Sequence, residues 1–168
     1  LVQETTENPH LEDIEQAHAR MTSLIENLLT IARSGTLVDE MATVAIAPLA
    51  DRAWDLVPAG RATLDVVPSG QIRANEDRLI QLFENLFRNS IEHGGATTDG
   101  VTITVGLLAD DDGFYVADDG VGIPEELREN VLESGFSTSE DGFGLGLQIV
   151  AAVARAHDWS VTVTSGPD

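Results

Sequence analysis

Residues 78–93 read Arg78-Leu-Ile-Gln-Leu-Phe-Glu-Asn85-Leu-Phe-Arg-Asn89-Ser-Ile-Glu-His93. Leu79, Leu82, Phe83, Leu86, Phe87 and Ile91 recur at three- and four-residue spacing, which is the pattern of one buried helical face. Asn75 stands upstream as an N-cap, and Glu76 and Asp77 follow it in the first turn, where carboxylates oppose the positive end of the helix dipole. Gly94-Gly95 closes the element. Four residues advance a helix by about 400°, so Asn85 and Asn89 lie roughly 40° apart, on the polar side or at its edge. An Asn oxygen is a hard ligand suited to Mg2+, an ion that keeps several waters and takes phosphate oxygens. Taken alone, the pair reads more readily as two surface amides.

Two glycine boxes follow. Asp118-Asp-Gly120-Val-Gly122-Ile-Pro124 comes directly after an apolar strand-like run. A carboxylate at a strand end can accept a hydrogen bond from an exocyclic amine such as adenine's, and the glycines let a planar ring approach the backbone. By itself the box also reads as a tight turn. Gly142-Phe-Gly144-Leu-Gly146-Leu147 opens an apolar helix, where backbone N–H groups and the helix dipole suit a polyphosphate. It is not the dinucleotide pattern, because its third glycine comes early and no acidic residue follows about 20 positions on. A plain glycine hinge is its other reading.

Composition narrows the chemistry. The chain has 168 residues, 29 of them acidic and 9 basic, with a net charge of −20. Every basic residue is Arg, so neither a Walker-type lysine nor a protein-kinase strand lysine is available. A nucleotide would have to be held by backbone amides, arginine and a metal. The charge argues against nonspecific nucleic-acid binding and against an anionic membrane surface. A lysine-free acidic surface is also what a high-salt cytoplasm favours, with solvated carboxylates and screened repulsion. With no cysteine, disulfides, thiol nucleophiles and cysteine metal sites are excluded. No apolar run approaches the roughly 20 residues of a membrane span, and no signal peptide is visible.

Toward the N-terminus, Asn8-Pro9 reads as an N-cap with proline at the first helical position. Leu11, Ile14, His18, Met21, Ile25, Leu28 and Ala32 then form a heptad seam that stops at Gly35. Such a helix needs a partner to cover the seam. The expected organisation is a helical dimerisation segment over 1–35, a linker over 36–42, and a second domain over 43–168. Within that domain the pattern predicts a strand at Thr43–Ile46, a helix from Pro48 to about Leu56, and a strand at Ala62–Val67 closed by Pro68-Ser-Gly70. Beyond the long helix it predicts a hairpin of Val101–Leu108 and Phe114–Ala117, a short helix over Pro124–Leu132, a small-residue loop over Ser134–Phe143, a helix over Leu145–His157 and a strand at Ser160–Thr164. The fold class is α+β: a two-layer α/β sandwich, with a mixed sheet and helices on one face, preceded by a long dimerisation helix.

The asparagine helix, the DxGxG turn and the GxGLGL loop, in this order, resemble the ATP-binding domain of sensor histidine kinases. That domain belongs to the superfamily shared with gyrase-type topoisomerases, mismatch-repair ATPases and a heat-shock chaperone. The resemblance covers about residues 43–165, and the heptad helix resembles the second helix of the kinases' dimerisation hairpin. It implies the cofactors ATP and Mg2+. Asn89 would bind the metal, with Asn85 close to the same ion or its waters, and His93 fills a position the family also gives to an aromatic or His. Asp118 would recognise the adenine amine, and Gly120 and Gly122 would line the base pocket. Ser134–Phe143 would be the lid, with Phe136 as its aromatic anchor. Gly142, Gly144 and Gly146, with Leu145 between them, would border the phosphates. The segment from Glu129 to Phe143 has no arginine or lysine, so Ser137, Thr138 and Ser139 would serve the phosphates.

In hydrolysing relatives a glutamate stands one turn before the metal asparagine and activates water. Here that position is Asn85, and an amide is no general base. The resemblance therefore implies a protein-histidine kinase of a two-component system, passing the γ-phosphoryl to a histidine on the dimerisation hairpin and then to a response-regulator aspartate. No catalytic residue is assigned: none of His10, His18, His93 or His157 has the acceptor's sequence context, so the acceptor is expected upstream of Leu1. The family's closing C-terminal strand is also missing. Expected partners are a second copy of the chain, through the heptad helix, and a receiver domain, with no nucleic acid and no direct membrane contact. The expected location is the cytoplasm, with membrane attachment of the parent protein left open. An ATP-hydrolysing relative and a non-catalytic dimeric scaffold remain alternatives.

Overall fold

A computed structural model describes residues 40–67, 70–94, 100–108, 113–132 and 145–165. The expected heptad helix and its dimer seam, the loop expected over Ser134–Phe143 and most of the expected linker lie outside them.

In chain order the elements are β1 (Ala42–Ala45), α1 (Ile46–Trp54), β2 (Thr63–Val66), β3 (Gln71–Ala74), α2 (Glu76–His93), β4 (Thr102–Leu107), β5 (Phe114–Asp118), a 3-10 turn (Glu125–Leu127) and α3 (Gly146–Ala156). Strands β2, β4 and β5 form one sheet with β4 in the middle, parallel to β2 and antiparallel to β5. Strands β1 and β3 form a separate antiparallel pair. The three α-helices among the described residues lie side by side with α2 between α1 and α3. This is the expected mixed sheet with a helix layer.

Each helix forms for a legible reason. α1 buries Ile46, Leu49, Ala50 and Ala53, one stripe at helical spacing. Pro48 lies in its first turn, not at its first position. Proline is tolerated there, because first-turn N–H groups have no intrahelical acceptor. α2 starts at Asn75, whose side chain accepts from Arg78 N at 3.0 Å, and it carries Glu76 and Asp77 in its first turn. α3 buries Ile149, Val150, Ala152, Val153 and Ala154.

Aromatic rings bind the two layers. Phe83 and Phe87 of α2 are fully buried and stack at 5.7 Å. Phe87 meets Trp54 of α1 edge-on at 5.6 Å, and Phe83 meets Phe114 of β5 at 5.3 Å. Ile103 and Val105 of β4, also fully buried, complete the sheet side of the core. His157 ties two helix ends together. Its Nδ1 lies 2.8 Å from Val153 O, and its Nε2 accepts from Asn75 N at 3.0 Å. The ring is buried and stacks on Trp159 at 4.4 Å. It is a structural histidine.

Three expectations are corrected. Strand β3 was not foreseen: Gln71-Ile72-Arg73-Ala74 is short and half polar, and in sequence it is squeezed between Pro68-Ser-Gly70 and the helix cap Asn75. Its alternating burial becomes visible only once β1 lies beside it. The helix expected over Pro124–Leu132 is a single 3-10 turn followed by irregular turns. In that stretch Val131 alone is buried, too little apolar surface to offset the cost of nucleating an α-helix. Residues 160–164 alternate exposed and half-buried like a strand, but they join no ladder. Val161 packs on the core without backbone pairing.

Candidate nucleotide site

The last two turns of α2 carry most of the candidate residues. Asn85 is half-buried, and its Nδ2 donates to Gln81 O, one turn back, at 2.8 Å. That bond commits the amide nitrogen and leaves Oδ1 as the acceptor end. Glu84 is turned away and pairs with Arg88 at 2.9 Å. The Asn89 side chain lies against the first residue of α3: a β-carbon placed on Gly146 would come within 2.8 Å of Asn89 Oδ1. Glycine at that position permits the approach. Leu145, the N-cap of α3, offers no side-chain acceptor to the first-turn amides of α3. His93 ends α2 and is exposed, one turn past Asn89.

The DxGxG turn is sewn to the same end of α2. Asp118, the last residue of β5, accepts from Gly120 N at 3.1 Å on Oδ1 and from Ser90 Oγ at 2.8 Å on Oδ2. Val121 N donates to Gly94 O at 2.9 Å. A β-carbon on Gly120 would stand 2.4 Å from Gly94 O, so that backbone contact requires glycine. Gly122 has φ +68° in open space, a conformation that favours glycine. The neighbouring carboxylate works differently. Asp119 Oδ1 accepts from Thr102 N at 2.7 Å, and its own N–H donates to Thr102 O, extending the β4–β5 pairing. The Thr102 backbone N–H, helped by the Thr102 hydroxyl, holds the Asp119 carboxyl below the usual carboxylate range.

The structure thus brings Asn85, Asn89, Leu145 and Gly146 to one side of the α2 terminus, and Asp118, Gly120 and Gly122 to its end. Phe136, Ser137, Thr138, Gly142 and Gly144 lie outside the described residues. Sequence reasoning missed Ser90 and Gly94. The available signal was position: Ser90 follows Asn89 by one residue, about 100° around the helix, toward the strand that ends in Asp118.

Among the described residues, no group of three or more His, Asp or Glu side chains could hold a metal. The donors present are neutral amide oxygens on Asn85 and Asn89. They fit an ion such as Mg2+ held mainly by phosphate oxygens and water, and they do not fit an all-protein cage. Also among the described residues, no helix is long and apolar enough to cross a membrane.

Residues 74–168 match the model of one protein family, the histidine kinase-, DNA gyrase B- and HSP90-like ATPases. The chain is 31% identical over 173 residues to the C4-dicarboxylate transport sensor protein DctB of Rhizobium meliloti, covering 98% of this chain and 28% of that protein. It is 34% identical over 161 residues to the probable sensor histidine kinase TcrY of Mycobacterium tuberculosis, covering 88% of this chain and 34% of that protein. The chain spans about a third of the length of these curated relatives. Among solved structures it resembles the mycobacterial sensor histidine kinase MprB, with a TM-score of 0.60, 26% identity, and coverage of 71% of this chain and 81% of the other. It also resembles the ATP-binding domain of PrrB from Mycobacterium tuberculosis, with a TM-score of 0.59, 27% identity, and coverage of 77% and 90%.

Proposed function

Since the chain belongs to the histidine kinase-, DNA gyrase B- and HSP90-like ATPase family, we propose that it is the ATP-binding catalytic portion of a sensor histidine kinase and works with Mg2+. The observation that carries this reading is the convergence at the end of α2. The Asn89 amide lies against the first residue of α3 on one side, with Asn85 one turn before it on the same helix, and a carboxylate that accepts from the Gly120 N–H stands on the other. In this reading the nucleobase amine meets Asp118, the triphosphate runs past Gly146 toward the amides of α3, and Asn89, with Asn85, holds the metal. The bound ion supplies charge neutralisation for the phosphates, which the acidic protein otherwise repels.

The chain's own part in the chemistry is positioning. The α3 amides and Asn89 hold the triphosphate in line, and phosphoryl transfer needs little else from the protein. Asn85 supports transfer over hydrolysis: its nitrogen is bound to Gln81 O, and an amide cannot take a proton from water. Glu84, the nearest carboxylate in sequence, is engaged by Arg88. The γ-phosphoryl then goes to a histidine of the dimerisation hairpin in a homodimer, and from there to an aspartate of a response-regulator receiver domain in the cytoplasm.

The test is direct. The chain should bind ATP saturably in the presence of Mg2+ and lose that binding with EDTA. The longer protein should transfer radiolabel from γ-labelled ATP to itself as an acid-labile phosphohistidine. Absence of saturable binding would defeat the site. Steady release of free phosphate at enzymatic rates, with no labelled protein, would favour hydrolysis instead.

A further inference from the structure

Ser90 is the side chain in this region for which the reading above has no use, and its geometry is specific. A mid-helix serine usually faces solvent or returns its hydroxyl to a carbonyl of its own preceding turn. Ser90 instead reaches off α2 and donates to Asp118 Oδ2 at 2.8 Å, across to the end of β5. The other carboxylate oxygen accepts from Gly120 N at 3.1 Å. The two donors, one on each oxygen, fix the rotation of a carboxyl that is otherwise exposed. An ionised carboxylate has about four acceptor positions, so each oxygen keeps one free. Ser90 itself is anchored, because its backbone carbonyl takes the N–H of Gly94 at 2.8 Å, and Gly94 in turn packs against Gly120.

We propose that Ser90 is a positioning residue for nucleobase selection, and that it orients the Asp118 carboxylate so that its free acceptor positions favour a purine bearing an exocyclic amine over one bearing a carbonyl. This rests on the assignment of Asp118 to the base pocket. A carboxylate held from both sides presents only lone pairs. An amine at C6 of the purine donates to them, and a carbonyl oxygen there is repelled. Once the Ser90 hydroxyl is removed, the carboxylate is free to turn and to recruit water between itself and either base, and the discrimination falls.

The experiment compares ATP with inosine triphosphate and with purine riboside triphosphate, which carries hydrogen at C6, on the 168-residue chain in Mg2+. Ser90→Ala is mild for folding, since alanine is the better helix former and the exposed carboxylate can turn to water. The expected result is a roughly 5- to 20-fold loss in ATP affinity, the scale of one hydrogen bond to a charged group. Affinity for purine riboside triphosphate should be unchanged within about twofold, so the preference for ATP over inosine triphosphate narrows. Ser90→Thr, which keeps a hydroxyl, should restore that preference. In an Asp118→Ala background, Ser90→Ala should add no further loss, as expected when one residue acts through the other. An unchanged preference in Ser90→Ala, or an equal loss for all three nucleotides, would overturn the proposal and leave the pocket assignment standing. Failure of the unmodified chain to bind ATP would overturn both.

Discussion

The Asn89 carboxamide occupies space that a β-carbon on Gly146 would need: Oδ1 lies 2.8 Å and Nδ2 3.1 Å from that position. The contact joins the middle helix of the layer to the start of α3. The side chain expected to hold the metal and the turn expected to border the phosphates are therefore one packed unit. What a side chain at position 146 would meet is the neighbouring carboxamide, not a forbidden backbone angle.

Gly146→Ala separates packing from function. The obstructing atoms are the end of a flexible side chain, which can turn aside at low cost, and alanine in a helix adds up to about 1 kcal/mol relative to glycine. Stability in urea should be unchanged or slightly higher, while ATP affinity falls at least about fivefold, because Asn89 has been displaced. Equal affinity in calorimetric titration would show that the Asn89 position does not matter to the nucleotide.

Asn89→Ala should abolish the Mg2+-dependent part of ATP binding. Asn85→Ala should reduce it less, since it is Asn89 that lies against Gly146 at the start of α3. Titration of a fluorescent ATP analogue with and without EDTA reads both effects. A Mg2+ response in Asn89→Ala equal to that of the unmodified chain would remove Asn89 from the metal site.

His157→Ala tests a strut that belongs to the fold and not to the site. It deprives Asn75 N of its acceptor and removes a buried ring stacked on Trp159. The expected loss is about 1–3 kcal/mol in urea unfolding, with ATP affinity of the folded fraction unchanged. A stability equal to that of the unmodified chain would mean that water replaces the ring at no cost.

Asp119 predicts an acid-side signature. Its carboxyl is held below the usual range mainly by the Thr102 N–H, so it stabilises the fold at pH values above the unfolded carboxyl's range of about 4. That stabilisation is lost as the pH falls through the lower, folded value. Asp119→Asn keeps an acceptor oxygen but does not titrate. The stability gap between the two proteins should be present at neutral pH and close below about pH 4. A gap that is constant with pH would place the Asp119 contribution elsewhere.

How much was legible follows from the range of each signal. The cap at Asn75, the acidic first turn and the six-residue apolar stripe of α2 are all local, and they located the helix to within a residue. β4 and β5 were legible because their alternation runs long enough to stand above chance. β3 was not, because its four residues make a strand only when β1 pairs with them. The helix expected after Pro124 failed for lack of apolar side chains on a shared face. At the site, the spacing of Asn85 and Asn89 placed both amides correctly on α2, but nothing local linked Ser90 to a carboxylate 28 positions away.

The chain's own order of residues determined where α2 begins and ends, the mixed α and β character, the absence of any lysine or cysteine chemistry, and the types of donor available to a nucleotide. Each of these depends on neighbours within a few positions or on composition. Tertiary structure decided which donors meet: Asn89 against Gly146, Ser90 and Gly120 on the two oxygens of Asp118, and His157 beneath Asn75. Those contacts depend on how the helix layer sits on the sheet. That placement is set by the burial of Phe83, Phe87, Ile103 and Val105 in one core, a property that no short window of sequence contains.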